Sequence, residues 1–184
     1  MTHDASLPQA YFETLYASDP DPWSFATSSY EAEKYARSIA ALRTRYDRAL
    51  EIGTGNGYLS ACLSLLCRET TSIDIHPQFT ALAAARLPSV PEAKVRLITR
   101  DAFGGEALGE YDAIAVTGSM PVYDPRFERA LKVGGRLFAV VGVAPVMDAI
   151  LVRRMGGDEW SRESLFETVI DPLVNATAAP EFVF

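Results

Sequence analysis

The sequence is poor in the residues that most often bind metals or form cross-links, with two cysteines and two histidines among 184 residues. Two histidines are too few for a histidine-rich metal site, and we expect no metal. Cys62 and Cys67 lie in a stretch predicted to be an apolar helix, where their spacing places them on different faces. This spacing disfavours a disulfide or a shared metal ligand, and instead favours two buried thiols in a reducing compartment.

Long apolar runs and an excess of positive charge are also missing. No apolar stretch approaches the roughly 20 residues that a membrane-spanning helix needs. Residues 1–6 lack the basic and apolar segments of a secretion signal, so we expect a cytoplasmic protein with no membrane partner. The formal net charge is −7. Because an acidic surface repels phosphate backbones, we expect no nucleic-acid partner.

The composition that remains is that of one globular domain, with 48% hydrophobic and 22% charged residues. Residues 1–45 are predicted to form an N-terminal helical cap, because aromatic and apolar side chains recur at helical spacing in segment 11–16. Ser28 and Glu31 have capping-box spacing for a second helix. Residues 46–184 are predicted to be the core of the same domain.

Strands alternate with helices in the core. Because helices joining successive strands imply a parallel sheet covered on both faces, we expect an α/β, Rossmann-like fold. Two later strand-like segments, 148–155 and 160–169, flank Gly156 and Gly157 and predict an antiparallel hairpin. The earlier predicted strands are 49–52, 71–75, 94–99, 112–117 and 136–141, and the predicted helices are 58–67, 77–87 and 124–131.

A glycine-rich motif, EIGTGNGY at positions 51–58, lies between the first predicted strand and helix. Its glycines allow a tight turn and a close approach to a ligand. A dinucleotide-binding G-x-G-x-x-G motif would place its third glycine at position 58, where this chain has Tyr58, and the third glycine is Gly57. The order acidic-x-G-x-G-x-G suits S-adenosylmethionine, because Glu51 can face the ammonium group of its amino-acid end.

Two further acidic residues follow the next two predicted strands. Asp74, followed by Ile75, can accept both ribose hydroxyls of a nucleoside. Asp101, followed by Ala102, can accept the adenine amino group. The carboxyl ends of neighbouring parallel strands border one crevice, so we expect these acids and the glycine motif to form one cofactor site.

The core of the chain resembles a known family. Residues 49–184 contain "ALEIGTGNGYLSA", "EYDAIAVTGSMP", "ALKVGGRLFAVVG" and the ending "SLFETVIDPLVNATAAPEFVF", and they resemble protein-L-isoaspartate O-methyltransferases. The resemblance implies a seven-stranded sheet with an antiparallel C-terminal pair, and conversion of S-adenosyl-L-methionine to S-adenosyl-L-homocysteine. It also implies that hydroxyls of segment 24–30 hold the substrate carboxylate, which makes Thr27, Ser28 and Ser29 candidates.

Residues 11–42 are similar to a second methyltransferase group, the nodulation-factor N-methyltransferases, which show a D-P-W-x-F…S-x-Y-E pattern. There the segment covers the bound cofactor, which implies that Trp23 and Tyr30 line the site. The candidate cofactor-binding residues are therefore Trp23, Tyr30, Glu51, Gly53, Thr54, Gly55, Asn56, Gly57, Tyr58, Asp74, Ile75, Asp101, Ala102 and Thr117.

The acceptor is less constrained than the methyl donor. A carboxylate is ionised at neutral pH and needs no general base, whereas an amine must lose a proton. His76 is the main candidate base, and its position beside Asp74 places it near the adenine, so O-methylation is favoured. The alternatives are an N-methyltransferase of a small-molecule or sugar amine, and a cofactor-binding protein without activity. We expect Thr27, Ser28, Ser29 and Ser119 to orient a small-molecule or peptide acceptor in a monomer or homodimer.

Overall fold

The computed structural model describes residues 46–90 and 92–178. Seven strands form one sheet in the order β3-β2-β1-β4-β5-β6-β7. Strands β1 to β5 are parallel, whereas β6 runs antiparallel to both of its neighbours. The strands are β1 (Tyr46–Ile52), β2 (Cys67–Asp74), β3 (Val95–Thr99), β4 (Tyr111–Met120), β5 (Leu131–Val143), β6 (Val146–Gly156) and β7 (Glu159–Thr168).

Helices cover both faces of the sheet. On one face, helices α1 (Tyr58–Leu66) and α2 (Pro77–Arg86) pack with β1 residue Ala49 in one hydrophobic cluster. On the other face, the short helix α3 (Arg126–Arg129) contributes Phe127 to a second cluster. A 3-10 turn, Leu87–Ser89, follows α2. The predicted Rossmann-like α/β fold with an antiparallel C-terminal hairpin is confirmed, while the predicted cap at 1–45 lies outside the described residues.

Burial explains why the central strands were recognisable. The β4 residues Ile114, Ala115 and Val116 are fully buried, because both faces of a parallel sheet are covered. The strand order reverses between β1 and β4, which are neighbours although β2 and β3 lie between them in sequence. Such a switch point leaves a crevice at the carboxyl ends of the strands, and this is where the sheet can hold a ligand.

Several element boundaries differ from the sequence prediction, and two of the differences concern residues discussed above. Cys67 begins β2 instead of ending the preceding helix, and Cys62 remains in α1. Burial raises the pKa of both thiols to about 12. Strand β5 begins at Leu131, five residues earlier than predicted, and its register with β4 shifts before Arg136. The residues between, which include Gly134 with a φ of 83°, form a bulge.

Strand β7 lies at the edge of the sheet, and a buried carboxylate connects it to α3. Glu128 is 5% exposed, and its Oε2 accepts hydrogen bonds from the hydroxyl of Tyr123 at 2.7 Å and from Nη2 of Arg162 at 2.7 Å. The Arg162 guanidinium also lies 4.7 Å from the centre of the Tyr123 ring. The Trp160 indole donates to the backbone oxygen of Glu128 at 3.3 Å. Among the described residues, no helix is long and apolar enough to cross a membrane.

We expect Glu128→Gln to lower the free energy of unfolding by about 1–2 kcal/mol, because it weakens two hydrogen bonds to a buried carboxylate, one of them from a half-exposed arginine. Urea denaturation checks this value. Arg153→Gln is the control, because its ion pair with Glu163 lies on the surface and is expected to contribute less than about 0.5 kcal/mol. Equal losses in the two variants would contradict this role of Glu128.

Candidate functional site

A cavity of about 620 Å³ opens at the carboxyl ends of the strands. This volume is within the range of small-molecule and cofactor sites. The glycine loop after β1, the residues after β2 and β3, the end of β4, strands β5 and β7, and the segment after β7 all contribute to its walls. The cavity therefore occupies the crevice at the switch point of the sheet.

The glycine loop is held against the end of β4 by a hydroxyl. Thr117 Oγ1 lies 2.9 Å from the backbone oxygen of Ile52 and 2.8 Å from that of Gly53, and it donates its proton to this pair of acceptors. Gly53 has a φ of 96°, and a Cβ built there would lie well under 3.0 Å from Thr117 Oγ1. Gly55 has a φ of 51°, and a Cβ built there would meet nothing within 4 Å. Only glycine permits the close approach of residue 53 to Thr117, and the missing side chain at Gly55 leaves the backbone there open to a ligand.

The carboxylate of Asp74 is fixed by backbone donors at the end of β2. Its Oδ2 accepts from the amide of Gly55 at 3.1 Å, and its Oδ1 accepts from the amide of His76 at 2.9 Å. Asp74 is 7% exposed and lines the cavity. A carboxylate oxygen can accept more than one hydrogen bond, so both oxygens keep capacity for a diol. The structure thus joins the glycine loop to the acid that the sequence assigns to the ribose.

Glu51 also lines the cavity, but much of its side chain is already engaged. It is 1% exposed, and its Oε2 accepts from the hydroxyls of Ser60 and Ser72, the latter at 2.5 Å. Ser72 in turn lies 2.6 Å from Thr54 Oγ1 in the glycine loop. Burial raises the pKa of Glu51 to about 7, although these hydrogen bonds lower it. Glu51 therefore supports the loop from beneath as well as facing the cavity.

Asp101 follows β3 and lines the cavity beyond the end of that strand. Its Oδ1 accepts from the amide of Phe103 at 2.7 Å, and its Oδ2 accepts from the side-chain amide of Asn175 at 2.9 Å. Asn175 has a left-handed φ of 65°, which asparagine tolerates better than most residues. The segment after β7 therefore reaches across the cavity to a residue that the sequence assigns to the adenine.

We call residues 170–175 the C-terminal strap. Ser119 in β4 anchors it: its amide donates to the backbone oxygen of Asp171 at 2.8 Å, and its oxygen accepts from the amide of Leu173 at 2.9 Å. The Ser119 hydroxyl donates to the backbone oxygen of Ile170 at 3.1 Å. Leu173 packs so closely on Gly118 that a Cβ there would lie 2.6 Å from Leu173 Cδ2. The strap is thus a fixed wall of the cavity.

The structure places Ser119 away from the cavity wall. It is fully buried, does not line the cavity, and uses its hydroxyl to hold the strap. Gly57 and Tyr58 are also outside the cavity wall: Gly57 is the N-cap residue before α1, with a φ of 87°, and Tyr58 is 8% exposed in the hydrophobic core. The predicted residues that do line it are Glu51, Gly53, Thr54, Gly55, Asn56, Asp74, Ile75, Asp101, Ala102 and Thr117. Trp23, Thr27, Ser28, Ser29 and Tyr30 lie outside the described residues.

Several cavity residues were not predicted. Phe79 lies next to His76, with ring centres 5.7 Å apart, and its position in the first turn of α2 could have indicated a cavity residue. Phe138 and Phe166 carry no such signal, because they read as ordinary core positions of β5 and β7. Arg100 faces the cavity from the end of β3 and is paired with Glu106 at 2.6 Å.

The arrangement combines an open glycine backbone with apolar walls and with three carboxylates at or just after the ends of β1, β2 and β3. Carboxylates suit hydroxyl and ammonium donors and a positively charged ligand, whereas a pyrophosphate would be repelled. This is the chemistry of a nucleoside with a cationic amino-acid end. Fold and site together define a class I S-adenosylmethionine-dependent methyltransferase.

Comparison with known proteins identifies the family. Residues 5–178 match the sequence model of protein-L-isoaspartate (D-aspartate) O-methyltransferase. Protein-L-isoaspartate O-methyltransferase 2 of Pelobacter propionicus is 32% identical over 176 residues, which are 94% of this chain and 78% of that protein. The chain therefore belongs to the protein-L-isoaspartate (D-aspartate) O-methyltransferase family, as the motifs predicted.

Solved structures share the fold. A protein-L-isoaspartate O-methyltransferase aligns with a TM-score of 0.70 at 20% identity, over 82% of this chain and 49% of that one. The N-methyltransferase NodS from Bradyrhizobium japonicum, in complex with S-adenosyl-L-homocysteine, aligns with a TM-score of 0.54 at 19% identity, over 70% of this chain and 71% of that one. At these identities the likeness shows the architecture alone.

Replacing Gly53 by alanine is expected to lower the free energy of unfolding by at least about 2 kcal/mol, because it combines a strained φ with a clash against Thr117. Gly157→Ala is the matched control, since a Cβ there meets nothing within 4 Å and the change is expected to stay within about 0.5 kcal/mol. Thermal and urea denaturation measure both. Equal free energies of unfolding for the two variants would contradict a close approach between Thr117 and Gly53.

The buried carboxyl of Glu51 predicts a pH-dependent stability. Its folded pKa of about 7 lies above the ordinary carboxyl pKa of 4.5, so the folded state holds more protons between these values. Stability should therefore fall as pH rises through this window, by at most about 1.4 kcal/mol per pH unit. Glu51→Gln should remove this part of the slope between pH 5 and 8, as followed by urea denaturation at each pH. Parallel curves for wild type and variant would contradict a raised pKa.

Proposed function

We propose that the cavity binds S-adenosyl-L-methionine and methylates the free carboxyl of an isoaspartyl or D-aspartyl residue in a protein or peptide. The observation that carries this proposal is the joint placement of the glycine loop, Asp74 and Asp101 around one cavity, in a chain whose residues 5–178 match the family. The acceptor is inferred from the family's name, and the methyl donor is inferred from the chemistry of the cavity.

The described residues suggest a division of the cavity. Asp74 would bind the ribose hydroxyls, and Asp101 with Ala102 would lie beside the adenine. Glu51 and the open backbone at Gly55 would hold the amino-acid end. The cofactor, when bound, supplies a methyl group that a positively charged sulfur has already activated.

The remaining task of the protein is positioning. Holding the acceptor oxygen in line with the methyl group can supply most of the rate acceleration. Phe138, Val140 and Phe166 give the cavity an apolar wall that excludes water. A carboxylate acceptor is already ionised at neutral pH, so this chemistry places no demand on His76 as a base. We assign the orientation of the acceptor to Thr27, Ser28 and Ser29, with Trp23 and Tyr30 closing over the cofactor.

Asp74→Asn is expected to weaken binding of S-adenosyl-L-homocysteine by about tenfold or more, because a charged acceptor of two hydroxyl hydrogen bonds is lost. Isothermal titration calorimetry measures this affinity. Asp158→Asn is the matched control, because Asp158 is exposed in the turn between β6 and β7, at the opposite end of the sheet. Unchanged affinity in Asp74→Asn would remove Asp74 from the cofactor site.

The acceptor is tested by methyl transfer from labelled S-adenosyl-L-methionine to two peptides that differ only in an isoaspartyl or an ordinary aspartyl residue. We expect label in the isoaspartyl peptide alone, released by mild base as an ester requires. Base-stable label would identify an amine acceptor. Binding of the cofactor without transfer to either peptide would contradict the proposed acceptor.

A further inference from the structure

One end of the cavity is built from strands β5 and β7 and the first residues of the C-terminal strap. The described residues that line this end are apolar or uncharged, with one exception. Phe138, Val140, Phe166 and Thr168 belong to the strands, and Asp171 is the single charged residue that the strap and the strands contribute. We call this end the acceptor wall.

The position of Asp171 is fixed by its neighbours in the chain. Its backbone oxygen accepts from the amide of Ser119, and Pro172 forms a parallel bridge with Ser119. Ile170 on one side and Leu173 on the other are hydrogen-bonded to the same serine. The backbone that carries the Asp171 carboxylate is therefore anchored at both ends, and its charge is held at the acceptor wall.

The Asp171 carboxylate is exposed, and within the described part of the chain it has neither a hydrogen bond nor an ion pair. The cation that also lines the cavity, Arg100, is paired with Glu106 at 2.6 Å on the far side. Among residues 46–90 and 92–178, no cation pairs with this negative charge of the acceptor wall. Such a charge repels a carboxylate acceptor unless a positive charge accompanies it.

We propose that Asp171 is a specificity-determining residue, which favours acceptor carboxyls flanked by lysine or arginine and disfavours those flanked by acidic residues. The inference rests on the proposed function, because it takes a peptide carboxyl as the acceptor. Asp171 makes no bond to the reacting atoms in this role. It acts through the charge that it holds at the acceptor wall.

The test compares three isoaspartyl peptides of one sequence, in which both flanking residues are lysine, glutamine or glutamate. Their affinities are measured for the full chain saturated with S-adenosyl-L-homocysteine, so that the readout does not depend on turnover. The wild-type protein should bind the lysine peptide about two- to fivefold more tightly than the glutamine peptide, and the glutamate peptide more weakly again by a similar factor. The differences should shrink as salt rises.

Asp171→Asn should bring the three affinities together, and Asp171→Lys should reverse their order. Glu167→Gln is the matched control: this exposed residue precedes Thr168 on β7 and does not line the cavity, so the wild-type order should persist. In a parallel transfer assay, the Asp171 variants should change KM with the same peptide dependence and leave kcat unchanged.

Equal binding of the three peptides to the wild type, or no binding of any of them, would overturn the inference. An order that survives in Asp171→Asn, or that disappears equally in Glu167→Gln, would also overturn it. A charge-dependent order that Asp171→Lys reverses, in a protein that methylates none of the peptides, would support the role of Asp171 and contradict the proposed acceptor instead.

Discussion

The site depends on one close approach, between the hydroxyl of Thr117 at the end of β4 and the backbone of Gly53 after β1. These strands are neighbours at the switch point of the sheet, and a side chain at position 53 would separate them. The approach directs the glycine loop toward β2, where the amide of Gly55 meets Asp74. One steric constraint therefore aligns the loop with the carboxylate and opens the crevice beside them.

Much of the cofactor side could be predicted because it is built from short segments at consecutive strand ends. A parallel sheet brings such ends together whatever the loops between them contain, so Glu51, Asp74 and Asp101 line one cavity. The fold was predictable for the same reason, since alternating strands and helices allow few topologies. The hydrogen-bond partners of each side chain could not be predicted from these segments. Glu51, for example, accepts hydrogen bonds from Ser60 and Ser72 beneath the loop.

The acceptor side could not be predicted, because distant parts of the chain form it. Ser119 looks like a free hydroxyl near the reacting centre, but its amide, oxygen and side chain all bind a strap that lies about 50 residues later. Phe138 and Phe166 have the pattern of ordinary core strands, and only the hairpin geometry brings them to the cavity. No local sequence pattern predicts contacts between residues so far apart in the chain.

The strap gives the two sides of the cavity a physical connection. Its first residues carry Asp171 at the acceptor wall, its middle is held by Ser119, and its last residue, Asn175, donates to Asp101 beside the expected adenine position. Because Ser119 holds the middle of the strap, one anchor sets the positions of both Asp171 and Asn175. One carboxylate oxygen of Asp101 accepts a hydrogen bond from its own loop, and the other accepts one from the strap. The strap therefore helps to set the orientation of the carboxylate that the sequence assigns to the adenine.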